Sequence, residues 1–168
     1  LGTITHFYTQ GGIAPTINTT TVRSGSRSLE CASGGQNQSF VQTNTIIAST
    51  TAVTRFYINV TTAPTGNMAM GGIYFSVLNG GLMYKSSDGK MYAGVYNSTT
   101  STLSTGATGI TLSAGSGWHL IDVRVNASAN PWVIDVSIDG TALDSCSFAN
   151  ASATLTNAWL GFILGNAN

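Results

Sequence analysis

Between Gly117 and Gly140 the chain alternates apolar and polar residues twice over, and few folds accommodate that pattern. In the first run Ile121, Val123 and Val125 share one face, with Leu120, Asp122 and Arg124 opposite. In the second, Trp132, Ile134, Val136 and Ile138 oppose Val133, Asp135, Ser137 and Asp139. A period of two is the signature of a strand with one buried side. Asn126 to Asn130, followed by Pro131, is a hairpin-sized break, and Asp139-Gly140 is a two-residue turn into a third strand. That third strand carries a conflict. If Ile138 points inward then so do Thr141 and Leu143, yet Cys146 and Phe148 have the opposite parity, which predicts a bulge near Asp144.

The rest of the chain repeats this grammar. Strands are expected over Thr3 to Tyr8, Arg27 to Ala32, from Phe40 onward, Ala52 to Val60, Met68 to Leu78, Gly81 to Ser86 and Lys90 to Tyr96. In the fourth of these, Thr54, Phe56, Ile58 and Val60 oppose Arg55, Tyr57 and Asn59. Ser24-Gly25-Ser26, Asn79-Gly80 and Asp88-Gly89 read as turns, Asn79-Gly80 being the strongest type I′ hairpin signal. Asn97 to Gly109 reads as a loop or a flat edge. Ala158 to Leu164 is nearly continuous in apolar residues and predicts a central strand. No segment has helical periodicity and no internal repeat is evident, so the expectation is one all-β, two-sheet antiparallel sandwich over residues 1–168.

Composition narrows the function classes. Charged residues are only 7% of the 168 and the formal net charge is zero, against about 25% charged residues in ordinary soluble domains. Nothing therefore draws the chain to nucleic acid or anionic lipid, and copies repel one another little. No apolar run has the roughly 18 residues of a membrane helix, so no membrane insertion is expected. The sequence begins at Leu1 rather than Met, as a processed or excised part of a longer chain would. Cys31 and Cys146 lie in no metal-binding spacing. A disulfide between them would close a long loop and contribute about 4–5 kcal/mol in the chain-entropy model. Two buried thiols are the alternative, and spacing does not decide.

The order of elements resembles the concanavalin A-like lectin/glucanase jelly roll, in its laminin-G-like branch. The resemblance rests on Val22-Arg23-Ser24-Gly25-Ser26-Arg27-Ser28-Leu29, on Gly117-Trp118-His119 opening a strand that ends Val123-Arg124-Val125, and on Val136-Ser137-Ile138-Asp139-Gly140. These are signatures of fold rather than of catalysis. The resemblance implies a surface recognition module of the kind found in secreted adhesins and virion surface or tail proteins. It further implies an extracellular, cell-surface or virion location, and a rim where calcium can bind through an Asp and backbone carbonyls, although no Asp-rich loop supports calcium here.

Glycoside hydrolysis requires two carboxylates flanking the scissile bond. The chain has one glutamate, Glu30, with Asp88 and Asp139 in turns. Asp122 and Asp135, across the hairpin with Arg124, are better read as an exposed charge cluster. His6 and His119 accompany no Gly-x-Ser-x-Gly elbow, and Gly71-Gly72 and Gly80-Gly81 lack the lysine and helix of a phosphate loop. The expectation is a module without catalytic residues, resident cofactor or metal. Tyr57, Tyr74, Tyr92 and Tyr96 fall on the parity opposite the expected core. With Asn59 and Asn79 they could stack on and hydrogen-bond a surface glycan, or pack against copies of the same chain in a homo-oligomer or larger assembly. A self-assembling coat, decoration or filament subunit is the alternative function. Glycosylation sequons in expected loops begin at Asn37, Asn97, Asn126 and Asn150, and would be used in an archaeal or eukaryotic source.

Overall fold

The structure, a computed structural model, describes residues 6–8, 14–31, 39–42 and 47–164. Among these residues there is no helix, and every strand pairing is antiparallel. The strands are β1 (His6–Tyr8), β2 (Thr16–Asn18), β3 (Ser28–Glu30), β4 (Ser39–Gln42), β5 (Thr51–Asn59), β6 (Met68–Phe75), β7 (Leu78–Lys85), β8 (Lys90–Asn97), β9 (Thr102–Thr105), β10 (Ile110–Thr111), β11 (Trp118–Asn126), β12 (Trp132–Ile138), β13 (Thr141–Ala142), β14 (Cys146–Phe148) and β15 (Asn157–Leu164). The large sheet runs β1-β4-β15-β6-β7-β8-β10, with β9 also on β8. The small sheet runs β13-β12-β11-β5, with β14 also on β12, and β2-β3 form a separate ribbon.

The two sheets pack face to face, as the alternation requires. Ile121, Val123 and Val125 of β11 and Trp132, Ile134, Val136 and Ile138 of β12 are all at most 3% exposed. Each such side chain contributes about 1.5–3 kcal/mol relative to leaving it in water. They meet Ile73, Leu82, Met91, Ala93 and Val95 of the large sheet in one core. Trp132 sits edge-on to Phe75 and Phe148, with ring centroids 5.6 and 6.5 Å away, and its indole N–H donates to the Ala151 carbonyl at 2.7 Å.

The meander follows its sequence closely. Asp139 and Gly140 have φ of 51° and 81°, the two left-handed residues of a type I′ turn. Ser137 faces Ala142 whereas Ile134 faces Cys146, so three steps along β12 match four on the returning chain. The extra residue lies between Ala142 and Cys146, where the parity conflict placed a bulge.

Asn79-Gly80 is a correction. The β6–β7 turn falls at Ser76-Val77, with Ser76 at φ 53°, and Asn79 and Gly80 lie inside β7 facing Tyr74 and Ile73. Tertiary packing overrides the local turn preference. A Cβ on Gly80 would stand 3.2 Å from Val125 Cγ2 and 3.5 Å from Ile134 Cγ1, so its absence lets the small sheet approach. Gly72, Gly81 and Gly94 face one another across β6, β7 and β8. This glycine row is the middle of the large sheet.

Inter-sheet contacts set β5 over β6, β11 over β6 and β7, β12 over β7 and β8, and β14 over β8 and β9. The small sheet therefore ends at β5, while the large one continues past β6 through β15, β4 and β1. Segment 149–156 crosses between the sheets at the Thr51 end of β5. There Ala153 N–H donates to Ala127, Leu155 N–H to Ser49 and Thr156 N–H to Tyr74. Leu155, 1% exposed, plugs that end. Among the described residues no segment plugs the Asn59 end in this way.

A Cβ on Gly72 would fall within 2.8 Å of Gly81 Cα and closer still to the Gly80 carbonyl, a clash with backbone that cannot rotate away. Gly72→Ala is expected to cost about 3 kcal/mol. Gly66→Ala, which meets nothing within 4 Å, should change stability by less than about 0.5 kcal/mol. Urea unfolding of the two variants checks this, and equal midpoints would contradict it.

Candidate functional site

The Asn59 end holds a groove of about 580 Å³. Its walls are the β2-β3 ribbon (Asn18, Leu29, Glu30, Cys31), the end of β5 (Tyr57 to Asn59), the following loop (Val60 to Thr65), Trp118, and Met68, Met70, Leu160 and Gly161 of the large sheet. It exists because β5 is the edge of the narrower sheet and the ribbon only partly fills the step beyond it.

Each wall has a local cause. Asn18 accepts the N–H groups of Thr20 and Thr21 at 2.7 and 2.8 Å, turning the chain out of β2. Its amide donates to Glu30 Oε2 at 2.7 Å, tying the ribbon's strands together. From the same connection the Arg23 guanidinium lies 3.5 Å from the Tyr57 ring centroid, a cation–π contact that joins ribbon to small sheet. Register sets Asn59 opposite Trp118 and Tyr57 opposite Leu120, all on the small sheet's outward parity. Asn59 Oδ1 is buried and has no hydrogen-bond partner among the described residues. Among the lining residues the only carboxylate is Glu30.

The residues expected to bind a ligand separate into two groups. Tyr57 and Asn59 line the groove. Tyr74, Asn79 and Tyr96 are indeed neighbours, since Asn79 faces Tyr74 on one side and Tyr96 on the other. Their expected exposure is corrected: Tyr92, Tyr96 and Asn79 are only 5%, 3% and 1% exposed, and Tyr74 packs half-buried beside them. The parity was read correctly, but the outer face of the large sheet is itself apolar. Phe40, Ala69, Met83 and Trp159 join Tyr92 and Tyr96 in a second cluster, with Phe40 and Trp159 edge-to-face at 6.3 Å. Gly109 comes so close that a Cβ there would strike the Tyr92 ring, 2.5 Å from Cζ. Rings closed in this way within one chain offer no face to a sugar or to a second copy.

Other expectations resolve individually. Asp122 pairs with Arg55 rather than with Asp135, and Asp135 lies 3.6 Å from Arg124 and accepts from Ser145. This is an exposed cross-strand charge cluster. The disulfide is also corrected: Cys31 and Cys146 are separate thiols. Cys31 lines the groove, whereas Cys146 lies buried in β14, 3.5 Å from the Ser104 carbonyl. Burial pushes the Cys146 thiol above its ordinary range, which makes it a poor nucleophile at neutral pH. Asn97 and Asn126 end strands rather than sitting in loops, and their Oδ1 atoms accept N–H groups two residues on. Asn150 lies between β14 and β15, and Asn37 lies outside the described residues. Among the described residues no group of three or more His, Cys, Asp or Glu side chains could hold a metal ion, and no helix is long and apolar enough to cross a membrane.

Sequence reasoning used both Trp118 and Arg23 only as marks of the fold. The signal for Trp118 was present, because it shares parity with Leu120 and Asp122 on the outward face. Arg23 carried none, since its partner Tyr57 lies on another sheet.

With the geometry known, the chain's relationships can be stated: it matches no known family model and no curated protein sequence. It is a two-sheet antiparallel β-sandwich whose groove opens beside an edge strand.

The Asp88–Tyr92 pair gives a pH signature. The Tyr92 hydroxyl donates to Asp88, holding that carboxyl below its ordinary range. The same bond, with burial, holds the Tyr92 phenol above its own. For Asp88 the folded state binds fewer protons than the unfolded one just below the usual carboxylate value, so its contribution is lost as pH falls below about 4. For Tyr92 the contribution is complete below about pH 10 and lost as pH rises through the folded value. The urea midpoint of the native chain should decline at both extremes, and Asp88→Asn should flatten both limbs. Superimposable pH profiles for the two proteins would contradict the assignment.

Proposed function

We propose that this chain is a surface recognition module, and that its groove binds a neutral, hydroxyl-rich glycan without cleaving glycosidic bonds. The observation that carries the reading is the joint presence of Trp118, Tyr57 and Asn59 in one groove. Aromatic rings supply flat apolar faces for a sugar ring. The Asn59 side-chain amide adds a donor and an acceptor of the kind that sugar hydroxyls pair with. Glu30 accepts a hydrogen bond from the Asn18 amide, and the rest of the lining is uncharged, polar or apolar. One carboxylate in the groove does not make the acid and base pair of a glycosidase.

The proposed context is the one the resemblance implies: a concanavalin A-like jelly roll outside the cell or on a virion. A second reading, self-assembly into a coat, decoration or filament, is favoured by Val53 and Val133. These stand 67% and 36% exposed on the small sheet, whose edge strand β5 carries Val53. Electron microscopy and size-exclusion chromatography separate the readings, because self-assembly predicts ordered particles that Val53→Lys disrupts.

The binding test is a glycan array followed by calorimetry on any oligosaccharide retained. Trp118→Ala and Tyr57→Ala should each weaken binding about thirtyfold, the effect of losing about 2 kcal/mol at a central aromatic contact. Val133→Ala should leave it unchanged. Retention of no glycan, or equal affinity in all three variants, would refute the groove as the site.

A further inference from the structure

Outside the groove lining, three side chains absent from the reading above form one chain of hydrogen bonds. Ser116 Oγ lies 2.8 Å from His119 Nε2, and His119 Nδ1 lies 2.7 Å from Asp139 Oδ2. The connectivity is that of a nucleophile, a general base and the carboxylate that orients it, with each imidazole nitrogen facing the partner its role requires. Two turns bring the three together. Ser116 belongs to the Ser113–Ser116 turn, where its N–H donates to the Ser113 carbonyl at 3.1 Å. Asp139 occupies the first position of the type I′ turn and is held there by its Oδ1, which accepts the Leu120 N–H at 2.8 Å. The carboxylate is thus anchored by backbone on one oxygen and faces imidazole with the other.

We propose that Ser116 is a nucleophilic serine, with His119 as its general base and Asp139 as the positioning residue, reactive toward carboxylic esters of small acyl groups. Access is open, because Ser116 is exposed while the His119 side chain is mostly covered, at 17% exposure. The anchored carboxylate fixes the imidazole with its proton on Nδ1, leaving Nε2 to accept. The Ser116 hydroxyl has two acceptors within reach, the Ser113 carbonyl and His119 Nε2. Its single proton reaches Nε2 whenever the imidazole is neutral and the hydroxyl turns from the carbonyl. In the acylation step Ser116 Oγ bonds to the ester carbonyl carbon as its proton passes to Nε2. The carbon–oxygen bond to the alcohol then breaks, and the alcohol leaves with that proton. Water, deprotonated by the same nitrogen, releases the carboxylic acid and restores the serine. No oxidant, metal or further reactant enters.

The relay does not depend on the glycan reading, though it lies next to the groove: Gly115 N–H donates to Val60, and Val60 and Trp118 line the groove. An alkyl fluorophosphonate is the probe, forming a phosphorus–oxygen bond to Ser116 with loss of fluoride and a proton. Peptide mass spectrometry should place one adduct on Ser116, absent in Ser116→Ala. His119→Ala should slow labelling at least a hundredfold and added imidazole should restore much of it, a rescue that a purely structural role would not produce. Asp139→Asn should slow labelling at least tenfold. Circular dichroism confirms folding, and Ser116→Ala, at an exposed turn, keeps the test valid if another variant unfolds. No adduct on the native chain, an adduct elsewhere, or a Ser116 adduct formed equally fast in His119→Ala and Asp139→Asn would overturn the proposal.

Discussion

A narrow sheet is laid over a wide one, and most of what distinguishes this molecule follows from the mismatch. The small sheet covers β6, β7 and β8 but stops at β5, while the large sheet runs on through β15 and β4. Its inward side chains, from Ile121 to Ile138, are as buried as a core allows, so it cannot slide outward to cover the remainder without exposing them. The step beyond β5 is left to the short β2-β3 ribbon, which spans it incompletely. The groove is therefore a consequence of sheet width. Its polar and aromatic lining reflects which residues fall at that margin.

The large sheet answers a second constraint. Its strands are apolar on both parities, so its outer face holds a cluster of its own, including Tyr92, Tyr96 and Trp159. Among the described residues, burial there leaves Asn79 Oδ1 and Trp159 Nε1 without a partner, and on the small sheet Asn59 Oδ1 has none either. The first two are enclosed among aromatic neighbours, where an orphaned group is simply a cost. Asn59 differs because it borders a groove that a ligand can enter. The same chemical defect has different meanings in the two places.

Sequence alone revealed the fold's local grammar well. Alternation in β11 and β12, the type I′ turn at Asp139-Gly140 and the bulge after Ala142 were all legible, because each depends on residues close together in the chain. The Asn79-Gly80 turn misled for the opposite reason. Gly80 is small so that Val125 and Ile134, far along the chain, can approach it, and local preference carries no record of that. The tyrosine face failed similarly: parity placed Tyr92 and Tyr96 opposite the main core, but the apolar residues that share their face, among them Met83, Ala69 and Trp159, come from other strands. Of the groove, Tyr57 and Asn59 were reached by parity. Its existence was not, because no periodicity reports that one sheet is narrower than the other. The Ser116, His119 and Asp139 relay was not drawn from the sequence either, although the β11–β12 register that sets Ile121 against Ile138 also brings Asp139 beside Leu120.

The central claim is that the outer face of the large sheet is closed while the groove beside β5 is open, and the three tryptophans report on it directly. Trp132 and Trp159 are 1% and 3% exposed, whereas Trp118 is half-buried at the groove. Limited oxidation of the folded chain with N-bromosuccinimide, followed by peptide mass spectrometry, measures the reactivity of each indole separately. The account predicts that Trp118 is modified first, with Trp132 and Trp159 intact until the protein unfolds. Oxidation of Trp159 as fast as Trp118 would show that the tyrosine-bearing face lies open, and would contradict it.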